Sequence, residues 1–179
     1  MQLNDEELQA LVLYQIGALH ALSRVYNFEI EHVRPHGALY KQAAIDLNTS
    51  VSIAKAIAKY NPWLIYVGAA GEILNKAGEI ANIRVAPEIH LDKEYNFDGT
   101  INFENTKTFD LDYAFAQLDL LTKESCIANN KGGKTKIDIK TIHLSMKTVY
   151  SIDIAKRARS IILQPIPLPA TFVCDTGWV

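Results

Sequence analysis

An α/β fold with a parallel sheet, either open or closed as a barrel, is what this sequence predicts. Three observations lead there. The chain opens with helical periodicity, short apolar runs then alternate with helical stretches four times, and the run from Trp63 to Val67 is apolar throughout. Alternation of strand and helix implies right-handed βαβ units. A continuous apolar strand implies cover on both faces.

The elements come in the following order. Asn4 precedes Asp5, Glu6 and Glu7, a capping box with Glu7 at its third position. Leu8, Leu11, Val12, Gln15, Ile16 and Leu19 recur at helical spacing, which predicts a helix over residues 5–26. Residues 30–34 are partly β-branched and end at Pro35, as a strand would. A second helical region comes next, restarting at Asn48 or Thr49 and stopped by Pro62. Residues 63–67 read as a strand, Gly68 to Gly71 as a turn, and residues 72–77 as a short helix. Residues 83–89 read as another strand, and residues 90–109 as a long loop with a turn at Asn96 to Gly99. Asp110 caps a helix reaching Lys123, residues 129–134 form a surface loop, residues 137–144 a strand and residues 151–163 a helix. Pro165, Pro167 and Pro169 hold the last stretch extended, so the chain divides into a domain over residues 1–164 and a Pro-rich apolar tail over 165–179.

Composition narrows the function classes. With 179 residues, 49% hydrophobic and 21% charged, the chain has the make-up of one globular domain. Eighteen Lys+Arg against twenty Asp+Glu leave a net charge of -2, which argues against nucleic acid or anionic lipid as a partner. No apolar run approaches the roughly 18 to 20 residues that cross a bilayer. The acidic start differs from an export signal, and Cys126 and Cys174 read as free thiols, so a cytoplasmic location is expected.

In parallel α/β folds the chemistry gathers at the C-terminal ends of strands. The stretches to inspect are therefore Arg34 to Tyr40, Gly68 to Glu72, Glu88 to Lys93, and Ser145 to Lys147. In Arg34-Pro35-His36-Gly37-Ala38-Leu39-Tyr40 proline fixes the chain, glycine admits close backbone approach, and the imidazole titrates near neutrality. His36 suits a general base, a metal ligand or an oxyanion donor; a hydrogen bond within the turn is the plainer alternative. Gly68 and Gly71 open a helix in the manner of a phosphate cradle, but Glu72 places a negative charge in its first turn. Glu88, His90 and Asp92 alternate at a strand end and read as solvated there, with convergence on a metal together with His36 as the less favoured alternative. His20 and His32 show no partner in sequence, and Lys131, Lys134 and Lys136 read as a solvated basic turn.

Tyr14-Gln15-Ile16-Gly17-Ala18-Leu19 and His32-Val33-Arg34-Pro35-His36-Gly37-Ala38-Leu39-Tyr40 closely resemble the LamB/YcsF family, and the likeness runs from about residue 8 to 160. The family has Lys before Pro-His-Gly and Asn after Ala-Leu-Tyr, where this chain has Arg34 and Lys41. Val67-Gly68-Ala69-Ala70-Gly71 is similar to its Val-Gly-Leu-Ala-Gly, and Glu88, Asp92, Tyr95 and Asp98-Gly99-Thr100 fit its Glu-Val-Phe-Ala-Asp-Arg-x-Tyr and Asp-Gly-Thr segment. The resemblance implies an incomplete (β/α) barrel of the glycoside hydrolase/deacetylase type, with parallel strands and alternating helices. It further implies a component of ATP-dependent hydrolysis of a cyclic amide, 5-oxoproline, acting with 5-oxoprolinase B and C type subunits that would share the ATP. On this reading His36, Glu88 and Asp92 are catalytic, Arg34, Gly37, Tyr40, Gly68 and Gly71 contact substrate, and no metal ligand is assigned.

Two departures shape the expectation of activity. The family's Asp-Leu-Asn-x-Asp, Gly-Phe-His-Ala-Gly-Asp and Ala-His-Pro motifs have no match in this chain, and its Thr-Ile-Cys-Val-His-Gly-Asp is here Thr141-Ile142-His143-Leu144-Ser145-Met146-Lys147. A hydroxyl and an ammonium replace an imidazole and a carboxylate, so no acid/base role passes through unchanged. The chain is therefore expected to be inactive alone and marginally stable or self-associating, with its open barrel edges met by a dimer, by a partner or by the Pro-rich tail folding back over the gap. A non-catalytic truncated paralogue that binds a partner is the alternative, and a metal-dependent deacetylase by fold analogy the more distant one.

Overall fold

The structure is a computed structural model that describes residues 3–105, 110–145 and 150–162. Helix α1 (Asp5–Val25) starts at the expected capping box: the Asn4 side chain accepts from the Glu7 backbone and the Glu7 carboxylate from the Asn4 backbone, both at 2.9 Å. Strand β1 is only His32–Val33, shorter than the expected 30–34. Helix α2 (Ala38–Ile45) comes next, then α3 (Leu47–Tyr60), whose cap is Asp46 rather than the expected restart at Asn48 or Thr49. The Asp46 carboxylate accepts from the Thr49 backbone at 2.8 Å and so fixes the earlier start.

Strand β2 is Ile65–Ala69, shifted from the expected 63–67. Pro62 explains the shift. Asn61 accepts from the Trp63 and Leu64 backbones, a turn that leaves Trp63 78% exposed and delays the strand. Gly68 belongs to the strand as well, because a side chain there would collide with Leu74 of α4 (Glu72–Ala81), which runs past the expected 77. β3 (Arg84–His90) and α5 (Leu111–Glu124), capped by Asp110, stand where expected.

The expected 129–134 loop is the turn of an antiparallel hairpin, β4 (Cys126–Ala128) with β5 (Lys134–Lys136). The strand expected over 137–144 is the short β6 (Thr141–His143), and α6 (Ser151–Ile162) completes the described chain. Lys147 and the tail from 165 to 179 lie outside the described residues.

Four strands build one parallel sheet in the order β1-β2-β3-β6, an arc of a (β/α) barrel that does not close among the described residues. No helix among those residues is long and apolar enough to cross a membrane. One face carries Val33, Tyr66 and Val85 into a core shared with Leu8, Val12, Ile53, Ile57 and Leu74 of the helices. Side chains alternate across a strand, so Arg34, Glu88 and His90 fall on the opposite face. A second core around Ile89, Leu91, Tyr95, Leu118, Ile127 and Ile154 ties α5, α6 and the hairpin to the C-terminal strand ends.

Ile57 is 0% exposed and Ile80 57%. Ile57→Ala should lower the unfolding free energy by about 2–5 kcal/mol, whereas Ile80→Ala should stay within about 1 kcal/mol. Paired urea unfolding curves check this; equal losses would contradict the assigned core.

Candidate active site

A cleft of about 310 Å³ opens at the C-terminal strand ends and is lined by Arg34, His36, Gly37 and Tyr40 from one side and by His90, Asp92, Phe103 and His143 from the other. Five of the eight residues expected from sequence line it: Arg34, His36, Gly37, Tyr40 and Asp92. Glu88 lies directly behind the wall. Gly68 and Gly71 are not brought to it: Gly68 backs onto Leu74, and Gly71 borders a separate cleft with Glu72 and Asp98.

Local sequence explains the placement. Pro35 ends β1, and Gly37, at a φ of 62° that a side chain would resist, begins α2. One helical turn on, Tyr40 is buried with its hydroxyl aimed at β3. Register supplies the other half. Ala69 pairs with Glu88, Glu88 with Thr141 and His90 with His143, so a small side chain separates the end of β1 from Glu88 and two imidazoles stand side by side.

Glu88, 4% exposed, is the centre. Arg34 Nε donates to its Oε2 at 2.8 Å and Oε1 at 3.0 Å, and Nη2 donates to Oε1 at 2.7 Å. The Tyr40 hydroxyl donates to Oε1 at 2.9 Å and meets His90 Nε2 at 2.9 Å. The guanidinium also lies 4.5 Å above the Tyr40 ring. His90 and His143 rings are 4.5 Å apart, and His143 Nδ1 lies 4.0 Å from Glu88 Oε2.

Burial pushes the Glu88 carboxyl up, but hydrogen bonds from His90 and Arg34, the charge of Arg34 and the Tyr40 hydroxyl outweigh it and hold the group at about 2. Burial, with the Glu88 charge beside it, raises Tyr40 well above the ordinary phenol value, so its proton stays. Burial opposes the charge on Arg34, yet Glu88 and Tyr40 prevail and raise it. For His143, burial lowers the imidazole, with His90 and Arg34 adding to it against Glu88 and Asp92. Because the Tyr40 proton goes to Glu88, the proton in the Tyr40–His90 contact sits on His90 Nε2.

The reading of Glu88 and His90 as a solvated strand end is therefore corrected: both are buried within this network. Among the described residues no group of three His, Cys, Asp or Glu side chains is arranged to hold a metal. His143 is the functional candidate that sequence reasoning passed over, although it stands in one of the motifs that depart from the family. Its signal is a pairing of two strand ends, His90 with His143, which needs the strand order to be known. Of the other histidines, His20 packs edge-on against Tyr60. In the basic turn Lys131 sits over Phe97 and Lys134 pairs with Glu124, so these charges have local partners.

A folded-state pKa below the unfolded one gives stability that is full above about pH 4.5 and fades as pH falls through about 2. Wild type should lose stability across that window, and Glu88→Gln should flatten the loss. Urea midpoints measured from about pH 2 to 6 decide it; identical slopes for the two proteins would remove Glu88 from its place.

A family model described as "LamB/YcsF family" matches residues 1–165. The 5-oxoprolinase A subunit of Alkaliphilus metalliredigens strain QYMF is 34% identical over 162 residues, 89% of this chain and 63% of that protein. Its namesake from Bacillus subtilis strain 168 is 33% identical over the same shares. The crystal structure of a lactam utilization protein from Thermus thermophilus superposes with a TM-score of 0.78 at 28% identity, covering 90% of this chain and 66% of that one. This chain spans about 63% of the length of the curated relatives it matches.

Proposed function

Since the chain belongs to the LamB/YcsF family, we propose that it acts on lactams, as a component of ATP-dependent 5-oxoproline hydrolysis. One observation carries the reading: a cleft of about 310 Å³ at the strand ends that combines an apolar wall with closely set proton donors and acceptors. Tyr40, Ile101 and Phe103 suit the methylenes of a small ring, while His36, the Asp92 carboxylate and the imidazoles suit its amide. A planar lactam amide resists water, so it needs activation by ATP together with a positioned acid and base.

The residues take distinct parts. His36, exposed on the rim beside the positive-φ glycine, is the mobile proton carrier. Asp92 faces the ring from the opposite wall. Glu88, held ionised, is too weak a base to accept a proton and instead holds Tyr40 and His90 in place. Arg34 works mainly through Glu88, since two of its three nitrogens are committed there.

The turn from Gly68 to Gly71 does not fit a triphosphate. The space above Gly68 is filled by Leu74, and Glu72 and Asp98 border the adjoining cleft. ATP is therefore assigned to B and C type partner subunits, in keeping with relatives that are named for the A component.

The purified chain with ATP should release no glutamate from 5-oxoproline, and adding B and C type subunits should start turnover. His36→Ala should then cut the rate by at least about a hundredfold. Amino-acid analysis of the reaction reads all three. Turnover by the chain alone would overturn the partner requirement, and silence in every combination would overturn lactam hydrolysis.

A further inference from the structure

The wall of the cleft carries a surplus of positive charge. Lys41 and Lys93 line it with His90 and His143, and among the described lining residues Asp92 is the one carboxylate. Glu88 stays behind the wall, its charge offset by the two-pronged contact with Arg34. Lys41 Nζ lies 5.8 Å from the centre of the Phe103 ring, so a cation borders the apolar wall. His143, 29% exposed, presents an imidazole that the buried His90 supports from behind.

We infer that this cleft seats a carboxylate anion against His143 and Lys41, beside a ring held on Phe103 and Ile101. The inference rests on the lactam reading for the ring, and it adds the group that selects an acidic lactam over a neutral one. Two imidazoles with centres 4.5 Å apart disfavour a shared positive charge, and an anion at His143 reverses the balance. Binding therefore takes up a proton. The groups facing His143 are Glu88 and His90 of β3, Asp92 beyond it, Arg34 after β1 and Ser145 on its own segment. Of these, Arg34 and His90 favour the neutral ring and the two carboxylates the charged one. Because the free ring titrates below the ordinary imidazole value of 6.5, the anion should bind more tightly as pH falls through that range.

The test uses the full chain and two probes that share a ring: 5-oxoproline, and 2-pyrrolidinone, which lacks the carboxylate. Calorimetry at about pH 5.5 and about pH 8 should show 5-oxoproline binding roughly tenfold tighter than 2-pyrrolidinone at the lower pH, with the gap shrinking severalfold at the higher. His143→Gln should narrow the gap and remove its pH dependence. Lys41→Asn, at an exposed position, should narrow the gap at both pH values and serves if the His143 variant does not fold. Equal affinity for both probes at both pH values would overturn the anion seat and leave the lactam reading standing. If neither ring binds, the lactam reading falls, and acetate and inorganic phosphate decide the seat by NMR of the His143 ring. A shift of that ring with acetate supports a carboxylate seat; a shift with phosphate alone, or with neither, overturns it.

Discussion

The ion pair between Arg34 and Glu88 is the constraint on which the rest of the site depends. A buried carboxylate costs several kcal/mol of lost hydration, and only close, multiple hydrogen bonds offset that. Arg34 supplies two donors from the end of β1, Tyr40 supplies a third from α2, and His90 adds a nearby N–H from β3 itself. Three segments separated in sequence by up to 54 positions are thereby fixed at one carboxylate. β1 has only two residues in the sheet, so its ladder alone would hold Pro35 and His36 weakly. The pair contributes position more than stability, since replacing such pairs by well-packed apolar groups is often neutral.

Protonation proceeds from that arrangement in a fixed sequence. An ionised Glu88 takes the Tyr40 proton as a donor, Tyr40 turns its lone pair to His90, and His90 must keep its proton on Nε2. The ring of His143 then packs, tilted by 50°, against an imidazole whose orientation is already decided. A single buried charge thus fixes how Tyr40 and His90 face each other, while at His143 it favours the charged ring against burial, His90 and Arg34.

Much of this was legible in the sequence, and the failures have physical causes. The rule that chemistry lies past strand ends pointed to Arg34, His36, Tyr40, Glu88 and Asp92, and the fold brings these five to one place. The capping residues Asn4 and Asp110 worked because a cap is a local hydrogen bond between near neighbours. Trp63 misled because hydrophobicity marks a strand only where the backbone is free to extend, and Pro62 with Asn61 made a turn instead. The hairpin β4–β5 was hidden by its polar Lys134 and Lys136, which face away from any core. His143 was passed over and His90 read as solvated for one reason. Each is unremarkable in its own strand, and their meeting depends on β6 passing over the hairpin to pair with β3, which no spacing within the chain encodes.

The same order of commitments explains how a cleft with an arginine at its base would leave substrate recognition to other cations. In the sequence Arg34 is the obvious anchor for an acidic ligand, being always charged and able to grip a carboxylate with two parallel bonds. In the fold a carboxylate of the protein already occupies that grip, at 2.7 and 2.8 Å, and reaches it without the entropy that a free ligand would lose on binding. No small acid competes with such a neighbour, so the positive charge left for a ligand belongs to Lys41, Lys93 and whichever imidazole holds a proton. Lysine is a point charge on a flexible stem, and it shapes a ligand less strictly than a planar guanidinium. Geometric selectivity in this cleft must then come from the stiff members of its wall, the aromatic rings of Tyr40 and Phe103 and the paired imidazoles, with charge deciding only which end of a ligand points where.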